Sequence, residues 1–312
     1  MQNKNLIIGT RGSSLALSQA NLVKEALEKV YTNLNVELKI VKTKGDKILD
    51  VALSKIGDKG LFTKELENEL FKKNVDIAVH SLKDLPTQLP EGLVLGGVLK
   101  RGEFRDALIH VSGKNFNELT EDDIIATSSL RRRAQLMKHN TAFRVVDIRG
   151  NVNTRIKKMN EGYCTAMIMA AAGLQRLNMD HMITQILDPE IIVPAVSQGA
   201  IAMEVRDDDK ATKELLNNVT HKNTLIAITA ERLFLGMIEG GCQVPVGCYS
   251  KITGNKFKIE GFVSDMDGSK IIRDHVEGDI SRSDLLAREL ANLFIKKGAP
   301  EIIEQIRKMN KG

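Results

Sequence analysis

The chain has 312 residues, 42% hydrophobic and 27% charged, an ordinary globular mixture with material for two or three domains rather than a disordered or fibrous composition. Forty-five Lys and Arg against 40 Asp and Glu leave a net charge of +5, while aromatics make up 4% and Trp is absent. Stacking platforms for single-stranded nucleic acid are therefore scarce, and a small anionic ligand suits the charge better.

The elements alternate between β-rich runs and helical periodicity, the pattern of a mostly parallel sheet flanked by helices. NLIIGT (5–10) reads as a strand, and Leu15 to Val30 follow helical spacing. VELKIVK (36–42) is a second strand, LFTKELENELFKK (61–73) an amphipathic helix, VDIAVH (75–80) a buried strand and LVLGGVL (93–99) another. KRGEFRD (100–106) reads as a linker, and the pattern then restarts. DALIHV, DIIAT, FRVVDI and CTAMIMA are strands, with SLRRRAQLMKH and GNVNTRIKKMN as helices. IIVPAVSQGAIAMEV (191–205) reads as a second crossing, and a long helix runs from Asn223 to Ile238 and stops at Gly240-Gly241. Two or three alternating strands and helical segments 282–297 and 300–309 complete the chain. Three domains are expected: 1–99 with 197–218, 105–193, and 222–312.

No segment approaches the ~20 apolar residues of a membrane span, and the N-terminal apolar stretch is too brief for a signal-peptide core. Cys164, Cys242 and Cys248 are odd in number and lack CxxC spacing. That suits free thiols in a reducing compartment, so a cytoplasmic location is expected.

Three strand-to-helix junctions carry arginine: Arg11-Gly12-Ser13-Ser14, Ser128-Ser129-Leu130-Arg131-Arg132-Arg133, and Arg149-Gly150-Asn151 with Arg155 in the following helix. Ligands of open α/β sheets sit at the carboxyl ends of strands, where helix N-termini present unpaired N–H groups. A cation in the first turn opposes the helix dipole by ~0.3–1 kcal/mol, which a bound anion would offset. Any one of these arginines also fits a solvated helix end; three junctions together favour a carboxylate ligand. Neither GxxxxGK[ST] nor GxGxxG is present, so a nucleotide is not indicated.

His80-Ser81-Leu82-Lys83-Asp84-Leu85-Pro86 forms a fourth junction. Asp84 either caps a short helix, serves as a general acid or stabilises a developing cation, with Lys83 beside it. His80 reads as a structural hydrogen-bonder rather than a base. Glycines on both sides of Cys242 suggest an exposed thiol, although a lone Cys is more often a small buried hydrophobe. Cys164 and Cys248 read as structural, and MIMAAAG (167–173) as core. Gly57, Lys59, Gly60 and Phe62 fit either a lid or a plain surface loop.

These segments together resemble porphobilinogen deaminase, also called hydroxymethylbilane synthase. The residues that carry the likeness are GTRGSSLALSQA (9–20), KGDKILD (44–50), GDKGLFTKELE (57–67), DIAVHSLKDLP (76–86), TSSLRRRAQL (127–136), IRGNVNTR (148–155), AAGLQRL (171–177), PAVSQGAIAMEVR (194–206) and GGCQVPVG (240–247). The resemblance implies an α/β fold of two periplasmic-binding-protein-like domains facing a cleft, plus a smaller C-terminal α/β domain. It implies a dipyrromethane cofactor held by a thioether to Cys242, on which four porphobilinogen molecules are added with loss of ammonia through an azafulvene-type cation. Asp84 would then assist ammonia loss. Lys83, Ser129, Arg131, Arg132 and Arg155 would hold the cofactor's carboxylates, and Arg11, Ser13, Arg149 and Arg176 those of the substrate. Lys59 and Phe62 would belong to a lid, and a monomer with no metal, nucleic-acid or membrane partner is implied. Two departures stand out: Thr165 occupies a position that is usually Asp, and Glu103-Phe104-Arg105-Asp106 lacks the usual Asp-Pro, which puts the stiffness of the hinge in question.

A non-catalytic anion-binding module on the same scaffold would explain the arginines but leave Cys242 and Asp84 without a purpose. Nucleic-acid binding through Arg131–Arg133 and Lys157–Lys158 lacks a recognised motif.

Overall fold

A computed structural model describes residues 4–47, 60, 62–238 and 244–309. The strands are β1 (Lys4–Thr10), β2 (Leu34–Ile40), β3 (Ile77–Ser81), β4 (Leu93–Val98), β5 (Asp106–His110), β6 (Ile124–Ala126), β7 (Arg144–Val146), β8 (Ala166–Ala170), β9 (Gln185–Leu187), β10 (Ile201–Arg206), β11 (Val246–Thr253), β12 (Lys256–Ser264) and β13 (Ile271–Asp279). The helices are α1 (Ser14–Val30), α2 (Lys44–Lys47), α3 (Lys64–Phe71), α4 (Leu130–His139), α5 (Val152–Asn160), α6 (Ala171–Gln175), α7 (Lys210–Val219), α8 (Lys222–Met237), α9 (Ser283–Lys296) and α10 (Ala299–Met309). The α/β expectation holds, as do most of the elements read from periodicity. The short β9 and α6, and the helix α7, were not expected.

The chain divides into two compact units. Among the described residues, the first takes 4–47, 60, 62–102 and 199–225, and the second takes 103–198, 226–238 and 244–309. The chain thus leaves the first unit within the segment read as a linker, and returns to it within the segment read as a second crossing.

In the first unit a five-stranded sheet has the order β2-β1-β3-β10-β4. β1 pairs in parallel with β2 and β3, whereas β10 is antiparallel to both β3 and β4. The sheet is therefore mixed rather than mostly parallel, because β10 enters from the returning chain. Both faces are covered. Leu6, Ile8, Val79 and Met203 pack with Ala20, Val23 and Leu27 of α1 and Leu216 of α7, while Ala78 and Val75 pack with Leu66 and Leu70 of α3. Burying each such Leu or Ile stabilises the fold by roughly 1.5–3 kcal/mol.

The second unit repeats that arrangement in the order β7-β6-β8-β5-β9, with β6 parallel to β7 and β8, and β5 antiparallel to β8 and β9. Leu136 of α4 covers one face, and Ile156 and Met159 of α5 with Leu174 of α6 cover the other. Met167 and Met169 are buried there, as core methionines.

The same unit carries a three-stranded antiparallel sheet, β11-β12-β13. One face packs on α8, α9 and α10, where Phe234 and Phe294 meet edge to face with centroids 5.0 Å apart. Gly261 is required there, since a Cβ would stand 2.7 Å from the Phe234 ring. Phe104 stacks on Tyr249 at 5.4 Å, and the Cys248 N–H donates to the Pro194 carbonyl at 3.0 Å. At the departure from the usual hinge sequence, Arg105 grips Glu103 through two nitrogens at 2.9 and 2.7 Å and reaches Asp188 at 3.0 Å.

Candidate functional site

The first group of expected residues forms where β1 and β3 end. The buried Thr10 hydroxyl donates to the Ala16 carbonyl at 3.1 Å, and the Ser13 hydroxyl caps α1 by accepting from the Ala16 N–H at 3.3 Å. Arg11 lies between these two contacts, with its Cζ 4.2 Å above the Phe62 ring. At the end of β3, buried Leu82 and Leu85 pin a single 3₁₀ turn, closed by Leu85 N–H to Leu82 carbonyl at 3.1 Å. The turn leaves Lys83 half-buried and Asp84 exposed. Gln19 Nε2 donates to Ser81 Oγ at 2.8 Å and so ties α1 to this turn. Arg11, Ser13, Gln19, Phe62, His80 and Asp84 line one cleft of about 90 Å3.

His80 is buried and bonded as expected, with Nε2 3.0 Å from Oε2 of the fully buried Glu204. Glu67, on α3, is also buried. Burial, with the nearby Glu204 charge adding, pushes its carboxyl above the usual range.

The second group lies at the carboxyl ends of β6, β7 and β8. Ser128 Oγ donates to the Ile148 carbonyl at 2.8 Å and accepts from the Ile148 N–H at 2.9 Å, joining two junctions. Ser129 caps α4, accepting from the Arg132 N–H at 3.5 Å. Gly150 has φ +112°, where a Cβ would meet Thr154 at 2.6 Å, and Asn151 caps α5 by accepting from the Thr154 N–H at 2.9 Å. Arg155 Nε donates back to the Gly150 carbonyl at 2.8 Å. Arg149 is half-buried, and burial lowers its pKa, partly opposed by Asp147. Burial pushes Arg176, at the end of α6, down to about 10.

Arg131 and Arg132 do not stand out into solvent, as arginines at a helix start would. They are 5% and 6% exposed, and both bond the fully buried Asp106. Arg131 Nη1 donates to Asp106 Oδ2 at 2.8 Å and to the Val193 carbonyl at 2.6 Å. Arg132 Nε and Nη2 donate to Oδ1 at 3.1 and 2.7 Å, and Nη1 to the Ile168 carbonyl at 2.9 Å. Burial alone would raise the Asp106 pKa, but the two guanidiniums hold it far below the usual carboxylate range. Asp106 was missed because it closes a run read as a linker. The register that places it opposite Ala170 at the end of β8 becomes visible only when β5 is seen to run antiparallel. Within this trio, two cations face one carboxylate. A ligand carboxylate would balance the remaining charge and would also offset the burial of Arg149 and Arg176, so these residues fit a group bearing several carboxylates.

Cys242 and Lys59 lie outside the described residues, as does the sequence from 239 to 243 around the thiol. The elements on either side are firmly set. Glu231 of α8 is buried and accepts from Ser197 N–H at 2.8 Å, Ser250 N–H at 2.8 Å and Ser250 Oγ at 2.7 Å. Cys164 and Cys248 are buried, and burial pushes the Cys164 thiol up to about 11, so Cys164 is not a reactive thiolate.

A larger hollow, about 850 Å3, opens at the opposite ends of β5 and β8, between His110, Cys164, Thr165 and His181. It contains none of the arginines, and His110 and Thr165 at its edge are bonded to Asp123. His110 Nε2 lies 2.9 Å from Asp123 Oδ1, and Lys114 lies 3.0 Å from Asp123 Oδ2. Thr165 Oγ1 accepts from Ile124 N–H at 2.9 Å and donates to Asp123 at 3.3 Å. A hydroxyl thus satisfies that N–H without setting a second carboxylate against Asp123. Among the described residues no His, Cys, Asp or Glu cluster suits a metal ion, and no helix is long and apolar enough to cross a membrane.

Known proteins resemble this chain over nearly its whole length. Residues 6–214 match a family model described as porphobilinogen deaminase, dipyromethane cofactor binding domain, and residues 225–296 match one described as porphobilinogen deaminase, C-terminal domain. A porphobilinogen deaminase of Carboxydothermus hydrogenoformans is 46% identical over 98% of this chain and 98% of its own. One from Chlorobaculum tepidum is 44% identical over 98% and 99%. Among solved structures, a methionine-binding protein is 13% identical at a TM-score of 0.45, covering 71% of this chain and 92% of that one.

Proposed function

The chain belongs to the porphobilinogen deaminase family, and from that premise we propose how its residues polymerise porphobilinogen into hydroxymethylbilane. The activity is that of the family, a transferase of tetrapyrrole biosynthesis that works with a dipyrromethane cofactor. When bound, that cofactor supplies the free α-carbon to which incoming pyrroles are added.

The observation that carries the residue assignment is the meeting of Arg11, Ser13 and Asp84 in one cleft. Asp84 is exposed on a rigid turn, so its carboxylate can face the substrate's aminomethyl group, bond the departing ammonium and stabilise the cation left behind. Lys83, beside it, offers a donor to a ligand carboxylate. Arg11 and Ser13 at the start of α1 are assigned to substrate carboxylates, as are Arg149 and Arg176 in the second unit. Cys242 tethers the cofactor through a thioether. Ser129 and Arg155 orient the cofactor's carboxylates. Arg131 and Arg132, braced by Asp106, supply the positive charge behind them.

The coarse division into domains follows the same proposal: 1–99 with 197–218, 105–193, and a C-terminal domain 222–312 bearing the tether. We place the enzyme in the cytoplasm as a monomer without nucleic-acid or membrane partners, on the basis of composition and family. Lys59 and Phe62 are assigned to a lid, with the Phe62 ring against Arg11 as support. Incubating the purified protein with porphobilinogen should yield hydroxymethylbilane and one ammonia per pyrrole added. Protein that carries the cofactor yet leaves porphobilinogen unchanged would refute the assignment.

A further inference from the structure

His80 and Glu204 occupy a place that stability does not explain. In the β3–β10 register Ala202 is opposite His80, so Glu204, two residues on, lies diagonally across from it on the same face. Ala78, Leu66 and Leu70 pack on that face, and Arg206, two residues further on, spends its donors on the Leu70 and Val75 carbonyls. Burying an imidazole and a carboxylate in such a setting stabilises a fold little or not at all. Glu204 Oε1 is, moreover, buried without a hydrogen-bond partner, and Glu67 of α3 adds a second carboxyl nearby. An incompletely bonded buried carboxylate calls for a functional explanation.

The chemistry of the cleft provides one. Arg11, His80 and Asp84 are the titratable side chains among the described residues lining it. Arginine stays protonated, and Asp84 must remain a carboxylate while positive charge develops. One proton still has to leave. The substrate's C–N bond breaks and ammonia departs with the electron pair. The aminomethyl carbon then bonds to a pyrrole α-carbon, whose C–H bond must break to restore the aromatic ring.

We propose that His80 is the general base that takes this α-proton, with Glu204 fixing its tautomer. Glu204 Oε2 lies 3.0 Å from Nε2; a carboxylate there takes Nε2–H, which leaves the lone pair on Nδ1 of a side chain whose residue lines the cleft. The C–H electron pair returns to the ring, and the proton passes from Nδ1 to the departing ammonia or to water. This inference rests on the assignment of the Asp84 cleft as the reaction site.

The test combines a structural readout with a kinetic one. Nitrogen NMR of the histidine rings in the cofactor-bearing enzyme, with the His80 signals identified by their loss in His80→Asn, should show Nε2 protonated and Nδ1 bare. An Nδ1–H tautomer overturns the proposal. With porphobilinogen deuterated at its free α-carbon, His80→Asn should lower kcat about 10²-fold, leave KM within about twofold, and enlarge the isotope effect. Glu204→Gln, isosteric and able to fold if His80→Asn is not, should lower kcat about tenfold with the same enlargement. Reduced kcat with an unchanged isotope effect would mean a purely structural pair and would sink the idea. Normal turnover in Asp84→Ala would instead fault the cleft assignment itself.

Discussion

The two five-stranded sheets share one strand order and the same pattern of parallel and antiparallel neighbours, yet they treat charge at their strand ends in opposite ways. In the first unit, a short turn pinned by Leu82 and Leu85 leaves Asp84 exposed beside a narrow cleft. In the second, Asp106 is fully buried and bonds two arginines that are themselves buried. Corresponding ends of the two sheets therefore support two kinds of carboxylate: one open to reacting groups, the other organising cations. What separates them is desolvation and the number of donors, rather than residue type.

Substitution can break this contrast. Asp84→Ala removes an exposed side chain, so turnover should fall by about 10²–10⁴-fold while the unfolding midpoint barely moves. Equal losses of activity and stability would erase the distinction. Asp106→Ala should do the reverse, destabilising the protein by about 3–5 kcal/mol in denaturant titrations, because two buried guanidiniums lose their partner.

The pH dependence of the Asp106 contribution has a definite sign. Its folded pKa is depressed, so the stabilisation is fully present above the ordinary carboxylate value of about 3.9 and is lost as pH falls toward the depressed one. Stability attributable to the trio, taken as wild type minus Asp106→Asn, should be flat from neutrality to about pH 5 and decline below about pH 4. A rise on acidification would contradict the assignment. The smallest effect belongs to Thr165→Val, which strands the Ile124 N–H and should destabilise by about 1–3 kcal/mol without altering kcat.

Much of the architecture was legible in the residues, because strands buried on both faces and amphipathic helices leave strong periodic signals. Mixed pairing was not, since β5 and β10 each enter a sheet just after the chain crosses between units, and no local pattern records which strand they join. That is also why Asp106 went unseen. Asp84, Ser13 and Arg11 were legible as strand-end residues, and the structure brings them to one cleft. Arg131 and Arg132 were identified as charged residues near the ligand, but their commitment to Asp106 required the fold. Glu204 gave no signal, as an acidic residue within the apolar run IAMEV reads as a surface position until both faces of β10 prove to be covered.

The central claim is that Cys242 carries a covalent dipyrromethane in a site built from these strand-end cations. Intact-mass measurement tests it most directly. The purified enzyme should be heavier than its sequence by two linked pyrrole units, with discrete further additions on exposure to porphobilinogen, and Cys242→Ser should show neither. A wild-type mass equal to that of the bare chain and unchanged by porphobilinogen would contradict the account.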